Sequence, residues 1–298
     1  MLHPITFSIP EEKIVTSIPV KTKILSHIIP NFTGKYVYNN EIDYYNEYKS
    51  SYFAITTKKS GWDCMRHYEI LANGCMPCFI NIEQCPKYTM YLLPKDLLIE
   101  ANILYQKFDK KEMSDLNETI INEYNILLTK LLEYTRNHLT TKKLVKYVLE
   151  KSNFEHVKKI LYLSGDCSPD YLRCITLHGF KELFGAKCHD YPKIPHIYKT
   201  NNIDYSSLYG KGVTYSNLLD HTTRNDKLDE TIIQDIKCKY YDIIIYGSYH
   251  RGMPHYDLIS KIYNPSEIIL FCGEDSHCCN YQHFVNRGHN VFVREIYI

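Results

Sequence analysis

Four short apolar runs, each stopped by glycine or polar residues, constrain the fold of this chain more than any other feature. They are Val157–Leu163, unbroken after Lys158-Lys159, before Ser164-Gly165-Asp166; Tyr241–Tyr246, unbroken after Asp242, before Gly247-Ser248; Ile268–Cys272 before Gly273-Glu274-Asp275; and Asn290–Val293, unbroken after Asn290, before Arg294-Glu295. A continuous apolar run with a polar stop suits a strand buried on both faces of a parallel sheet. Helical connections between such strands predict a doubly wound α/β sheet. The first connecting helix is expected over 169–184, closing at Gly185, and 186–229 reads as loop. Ligands of open α/β sheets bind outside the carboxyl ends of the strands. The polar stops are therefore the first places to look for a site.

With 298 residues the chain is long enough for two domains, and the composition shift after Lys151-Ser152 suggests 1–152 and 153–298. In the first part, residues 1–50 are punctuated by Pro4, Pro10, Pro19 and Pro30 and read as loops and short strands, one of them near Lys35–Tyr38, with a short helix at Asp43–Lys49. Tyr52–Thr56 is β-branched and aromatic and reads as a buried strand. A helix over 63–73, a strand over 77–82 and a helix from Pro94 follow. Residues 113–151 carry Ile120, Ile121, Tyr124, Leu127, Leu128, Leu131 and Leu132 at helical spacing, giving one or two amphipathic helices.

Composition excludes several classes of function. Lys plus Arg and Asp plus Glu nearly cancel to a net charge of +1, so no phosphate-neutralising nucleic-acid surface is expected. No apolar run approaches the ~18 residues of a membrane helix, and Met1–Thr6 lacks the pattern of a secretory signal. Eleven cysteines are then expected to be reduced in a cytoplasmic protein. Neither a GxGxxG nor a GxxxxGK[ST] motif is present, which argues against a Rossmann dehydrogenase and a P-loop NTPase. Twenty-eight tyrosines fit an AT-rich genome or sugar-stacking surfaces.

Two blocks concentrate the chemistry. In Gly61-Trp62-Asp63-Cys64-Met65-Arg66-His67-Tyr68-Glu69, Arg66 and Glu69 share a helical face. Gly74 supplies the left-handed residue that ends this helix, and Pro77 directs the next strand; Trp62 reads as a packing or stacking wall. Gly247–Gly252 can cradle a phosphate or sugar with Arg251 as its bidentate partner, or form a tight turn with Arg251 exposed. Glu274, Asp275 and His277 can supply a general base or cap the next helix, and the same two readings apply to Asp166 and Asp170. Cys75-Met76-Pro77-Cys78 is formally a CxxC near Cys64 and Cys85, and His277, Cys278, Cys279 and His283 form a second cluster. Cys78 opening a buried strand and Cys64 on a helix argue against zinc in the first cluster, and no metal is expected at either.

Arg66, Glu69, Ala72, Gly74-Cys75 and Pro77 together resemble the donor-side segment of GT-B glycosyltransferases, especially the exostosin-like and spore-maturation-type members. The whole chain is also similar to giant DNA virus proteins with the same Gly-Trp-Asp-Cys and Gly-Ser-Tyr-His-Arg-Gly blocks. The resemblance implies two Rossmann-like parallel-sheet domains facing a cleft, here in a possibly permuted order. It implies a nucleotide-sugar co-substrate with no tightly bound cofactor, and an acceptor that is a glycan, a protein or a small molecule. Glu69 would hold the ribose hydroxyls and Arg66 the diphosphate, with Gly61, Trp62, Gly74, Gly247, Ser248 and Arg251 around the donor. Asp166, His250, Glu274 or Asp275 would act as base. A second Glu of many retaining members falls at Gly61 here, which leaves the stereochemical outcome open. The alternative is a non-catalytic viral protein that binds a nucleotide or sugar.

Overall fold

The computed structural model describes residues 1–30, 37–200, 204–275 and 280–297. It contains two parallel sheets. The smaller joins β2 (Lys23–Leu25), β3 (Ser51–Thr56) and β4 (Met76–Phe79) in that order, and the larger has the order β1-β9-β8-β7-β5-β6. Its strands are β1 (Leu2–Pro4), β5 (Ile160–Leu163), β6 (Cys188–Tyr191), β7 (Ile243–Tyr246), β8 (Ile268–Cys272) and β9 (Asn290–Val293). The helices are α1 (Glu41–Lys49), α2 (Met65–Ala72), α3 (Lys95–Tyr105), α4 (Glu118–His138), α5 (Thr141–Ser152), α6 (Tyr171–Phe184), α7 (Ile232–Lys237), α8 (Tyr256–Ile259) and α9 (Tyr281–Asn286).

The four apolar runs do form the centre of a parallel sheet, with Leu161 opposite Ile244 and Phe271 opposite Phe292. Successive side chains point to opposite faces. Accordingly Ile160, Tyr162, Ile243, Ile245, Ile269 and Phe271 join one apolar cluster, and Leu161, Leu163, Ile244, Tyr246, Ile268 and Leu270 join another. Helix α6 covers the first face, while Ile232, Ile236 and Ile259 of α7 and α8 cover the second. The first cluster continues through Leu128 and Leu144 to Phe53 and Phe79, so both sheets share one apolar core.

One strand departs from expectation: β6 lies in the stretch read as loop, whereas β1 and β2 are short strands of the proline-punctuated N-terminal region. β1 and β6 are the two edges of the larger sheet and β2 is an edge of the smaller. Such strands need no double-faced apolar run; Cys188-His189-Asp190-Tyr191 and Leu2-His3-Pro4 lack one. β1 pairs with β9 although it comes from the opposite end of the chain. The strand expected over 77–82 ends at Phe79, because Asn81 turns left-handed and a 3-10 turn begins at Ile82. Lys35 and Tyr36 of the expected strand Lys35–Tyr38 lie outside the described residues, and Val37 and Tyr38 are not in a strand. The amphipathic stretch is two helices, interrupted at Leu139 with Thr140 capping α5.

β2, α1, β3, α2 and β4 form a β-α-β-α-β unit. β5 is flanked by β6 and β7, so the chain reverses its direction across the larger sheet between β5 and β7. Such a switch point, at the carboxyl ends of parallel strands, is where this architecture places ligands. Gly165 sits there: a Cβ on it would lie 2.0 Å from the Arg251 carbonyl oxygen, so the turns after β5 and β7 touch backbone to backbone.

Candidate functional site

The carboxyl ends of both sheets face one cavity of about 880 Å3, within the ~300–1,000 Å3 typical of small-molecule sites. The smaller sheet contributes the loops after β2 and β3 and the start of α2; the larger contributes the turns after β5, β7, β8 and β9. Tyr209, Gly210 and Val213, from the connection between β6 and β7, complete the wall.

Helix α2 begins at the cavity. Its N-cap Cys64 makes no side-chain cap, so the positive end of the helix is open to it. At the other end Cys75 N–H bonds the Ile70 carbonyl at 3.1 Å and Gly74 N–H the Leu71 carbonyl at 3.0 Å. This is the Schellman arrangement expected of Gly74, whose φ is +62°. Gly74 is thus a helix terminator far along α2 from the cavity, which it does not line.

Arg66, nine-tenths buried, lines the cavity. Its Nε donates to Thr56 Oγ1 at 3.1 Å and its Nη2 to the Thr57 carbonyl at 3.2 Å. Among the described residues the arginine ion pairs are those of Arg173, Arg224, Arg251 and Arg294, and Arg66 has none. Thr56 Oγ1, having accepted from Arg66, donates to His67 Nδ1 at 2.9 Å, which makes His67 Nε2 the donor to the Trp62 carbonyl at 2.8 Å. Burial, and then Arg66, push the His67 pKa down to about 3, so it is neutral. Trp62 is buried, stacks on Phe79 and does not line the cavity.

Glu69, one turn along α2, is buried and reaches the cavity. Its Oε1 accepts from Thr214 Oγ1 at 2.6 Å and its Oε2 from Tyr44 OH at 2.7 Å. Burial raises its pKa against the pull of those two hydroxyls and Arg66.

The opposite wall is charged and internally matched. Arg294, fully buried just beyond β9, donates Nε to the Gly273 carbonyl and Nη1 to Glu295 and the Asp63 carbonyl, and its Nη2 pairs with Asp275. Glu295 Oε1 also accepts from Asp63 N–H at 2.9 Å. Asp63 itself accepts from Phe7 N–H at 2.7 Å and Tyr68 OH at 2.9 Å, and burial raises its pKa to about 6 against the pull of Arg294. Gly61 fits between these groups because it has no side chain: a Cβ would lie 2.6 Å from Glu295 Oε1 and 3.0 Å from Asp275 Oδ1.

Asp170 is both cap and anchor. Oδ1 accepts from Arg173 N–H at 3.0 Å at the start of α6, and Oδ2 accepts from Ser248 Oγ at 2.6 Å and Arg251 Nε at 3.0 Å. Burial works against its ionisation, but these donors outweigh it and hold its pKa below the usual carboxylate value. His250 Nε2 lies 2.5 Å from Glu274 Oε1 and 3.4 Å from Ser248 Oγ. One nitrogen faces both groups and Ser248 gives its proton to Asp170, so the trio is no serine-nucleophile triad. Burial lowers the His250 pKa against the attraction of Glu274.

Of the residues singled out in the sequence, Gly61, Arg66, Glu69, Asp170, Arg251, Glu274 and Asp275 line the cavity. Ser248 and His250 stand behind it, in contact with Asp170 and Glu274. Gly247 packs against Tyr162, whose phenol oxygen lies 2.2 Å from where its Cβ would be. Asp166 lies off the cavity in an Asx turn to Ser168 N–H, beside Arg173. Asp63, Arg294 and Thr214 take part in the site without having been candidates for a role in it; Arg294 carries the same strand-end signal as the other polar stops. His277, Cys278 and Cys279 lie outside the described residues. Cys64, Cys75, Cys78 and Cys85 are free thiols, and among the described residues no three His, Cys, Asp or Glu are grouped to hold a metal ion. No described helix is long and apolar enough to cross a membrane. The chain matches no protein-family model, and neither a curated protein nor a solved structure is significantly similar to it.

Proposed function

We propose that the cavity binds a nucleotide-sugar and that the chain transfers its sugar to an acceptor hydroxyl. One observation carries this reading: a buried guanidinium that forms no ion pair among the described residues stands at the uncapped N-terminus of α2, facing the cavity. A buried cation is stable when something compensates it. Aligned amides and a guanidinium together suit a diphosphate. Glu69, one turn away, can accept from paired ligand hydroxyls in place of the protein hydroxyls it now holds.

The reaction then needs positive charge at the departing phosphate and a base at the acceptor. Arg66 and the α2 amides stabilise the diphosphate as its bond to the anomeric carbon breaks. Glu274 is the best-placed base. It lines the cavity, is steadied by His250, and is not engaged by Arg294 as Asp275 is. It takes the acceptor proton while the acceptor oxygen bonds the anomeric carbon. The products are the glycosylated acceptor and a nucleoside diphosphate.

Turnover of UDP- and GDP-sugars by the wild type and by Glu274→Gln tests the proposal. Release of nucleoside diphosphate by the wild type, slowed ~100-fold or more in Glu274→Gln, is the expected result. Ligand-induced thermal stabilisation with no product would make the chain a binding protein instead. No stabilisation by any nucleotide-sugar would remove the reading altogether.

A further inference from the structure

Thr214, next to Val213 of the cavity wall, has the largest positive φ of the described non-glycine residues. Its φ is +73°, a value that a β-branched side chain rarely adopts, and it is fully buried. It lies between β6 and β7 of the larger sheet, yet every hydrogen bond recorded for it reaches the helices of the smaller one. Its N–H donates to Glu41 Oε2 at 2.8 Å, and its Oγ1 donates to Glu69 Oε1 at 2.6 Å. With that proton committed, Tyr45 OH is the donor to Thr214 Oγ1 at 2.6 Å. Lys211 adds a bond to Asn39.

Lys211 is also left-handed, with φ of +54° and no glycine freedom to ease it. Gly210, Gly212 and Asn217, at +57°, +70° and +55°, adopt the same region at little cost. A short segment held in this conformation by bonds to α1 and α2 will relax when those bonds are lost. The same segment presents Tyr209 and Val213 to the cavity.

We propose that residues 208–217 form a ligand-released latch: Thr214 occupies Glu69, and a ligand hydroxyl reaching Glu69 displaces it. Release lets the backbone at 214 relax and frees the Tyr209–Val213 side of the cavity. The latch itself is a property of the protein alone; its coupling to ligand rests on the reading of Glu69 as a hydroxyl-binding group.

The test compares Thr214→Val, which keeps the shape but loses the hydroxyl, with Thr214→Ser, which keeps the hydroxyl. Tyr45→Phe removes one partner without touching position 214. In the absence of ligand, amide hydrogen exchange over 209–217 should rise roughly ten-fold in Thr214→Val and stay near wild type in Thr214→Ser. Tyr45→Phe should fall between them. Binding of uridine and guanosine diphosphates is the second arm. Whichever binds the wild type should bind Thr214→Val several-fold more tightly, because the competing hydroxyl is gone. Weaker binding by Thr214→Val would make Thr214 a positioning residue and overturn the latch. Unchanged exchange in both Thr214→Val and Tyr45→Phe would overturn it as well. If neither diphosphate binds, the nucleotide reading fails, and the exchange measurement alone decides whether the latch exists.

Discussion

Arg66 and Arg294 are both buried guanidinium groups at the same cavity, and they are satisfied in opposite ways. Arg294 bonds the carboxylates of Glu295 and Asp275 and two backbone carbonyls, and it tethers the turn after β9 to the loop before α2. Arg66 bonds one hydroxyl and one carbonyl, both neutral. A guanidinium with its own carboxylates is part of the architecture. One held only by neutral oxygens beside an open helix terminus leaves its charge available to a ligand. The two walls therefore divide the work: the larger sheet's side holds the cleft together, and the smaller sheet's side presents charge to the cavity.

The sharpest way to break this comparison is to remove each guanidinium and measure stability. Arg294→Ala leaves Glu295 buried and Asp275 without its cation; denaturant unfolding should show a loss of ~3–5 kcal/mol. A loss under ~1 kcal/mol would show that the paired wall is not what joins the two sheets. Arg66→Ala should cost less, ~1–2 kcal/mol, because the hydrogen bonds lost are two, both to neutral oxygens.

A smaller effect separates the walls by pH. Asp63 has its pKa raised to about 6 in the folded chain, above the ordinary carboxylate value, so the folded state binds the extra proton. Stability from this group therefore grows as pH falls through 6 and fades as pH rises above it. Between pH 7 and pH 5 the gain is ~1 kcal/mol. His67 works the other way: with its pKa near 3, the stability of keeping it neutral is lost as pH falls below its ordinary value. The comparison is thus wild type against Asp63→Asn at both pH values. A difference between the two proteins that shifts by ~1 kcal/mol is expected, and a pH-independent difference would contradict the account of Asp63. Thr56→Ser should have the least effect, under ~1 kcal/mol, because it keeps the hydroxyl linking Arg66 to His67.

How much was legible in the sequence follows the same physics. The four central strands showed themselves because burial on both faces demands unbroken apolar runs, and α2 showed its end in Gly74. The edge strand β6 did not, because its buried His189 and Asp190 are polar and find partners in Tyr241, Asp229, Tyr198 and Lys181, which no local sequence pattern marks. Arg66, Glu69, Arg251, Glu274 and Asp275 were found because a helix face and the strand-end rule both act locally. Thr214 carries no local signal: its role comes from contacts with Glu41, Tyr45 and Glu69, on helices far from it in the chain. Gly247 was read as a ligand cradle, and the structure gives its small size to Tyr162. A glycine after a strand marks a close approach, and the sequence does not say by what.

The most direct measurement of the central claim is calorimetric titration of uridine and guanosine diphosphates into the wild type and Arg66→Ala, each checked for unchanged folding. The account predicts binding of at least one diphosphate by the wild type, weakened ~10–100-fold in Arg66→Ala as a charge-assisted contact is lost. Equal affinity in the two proteins would contradict it.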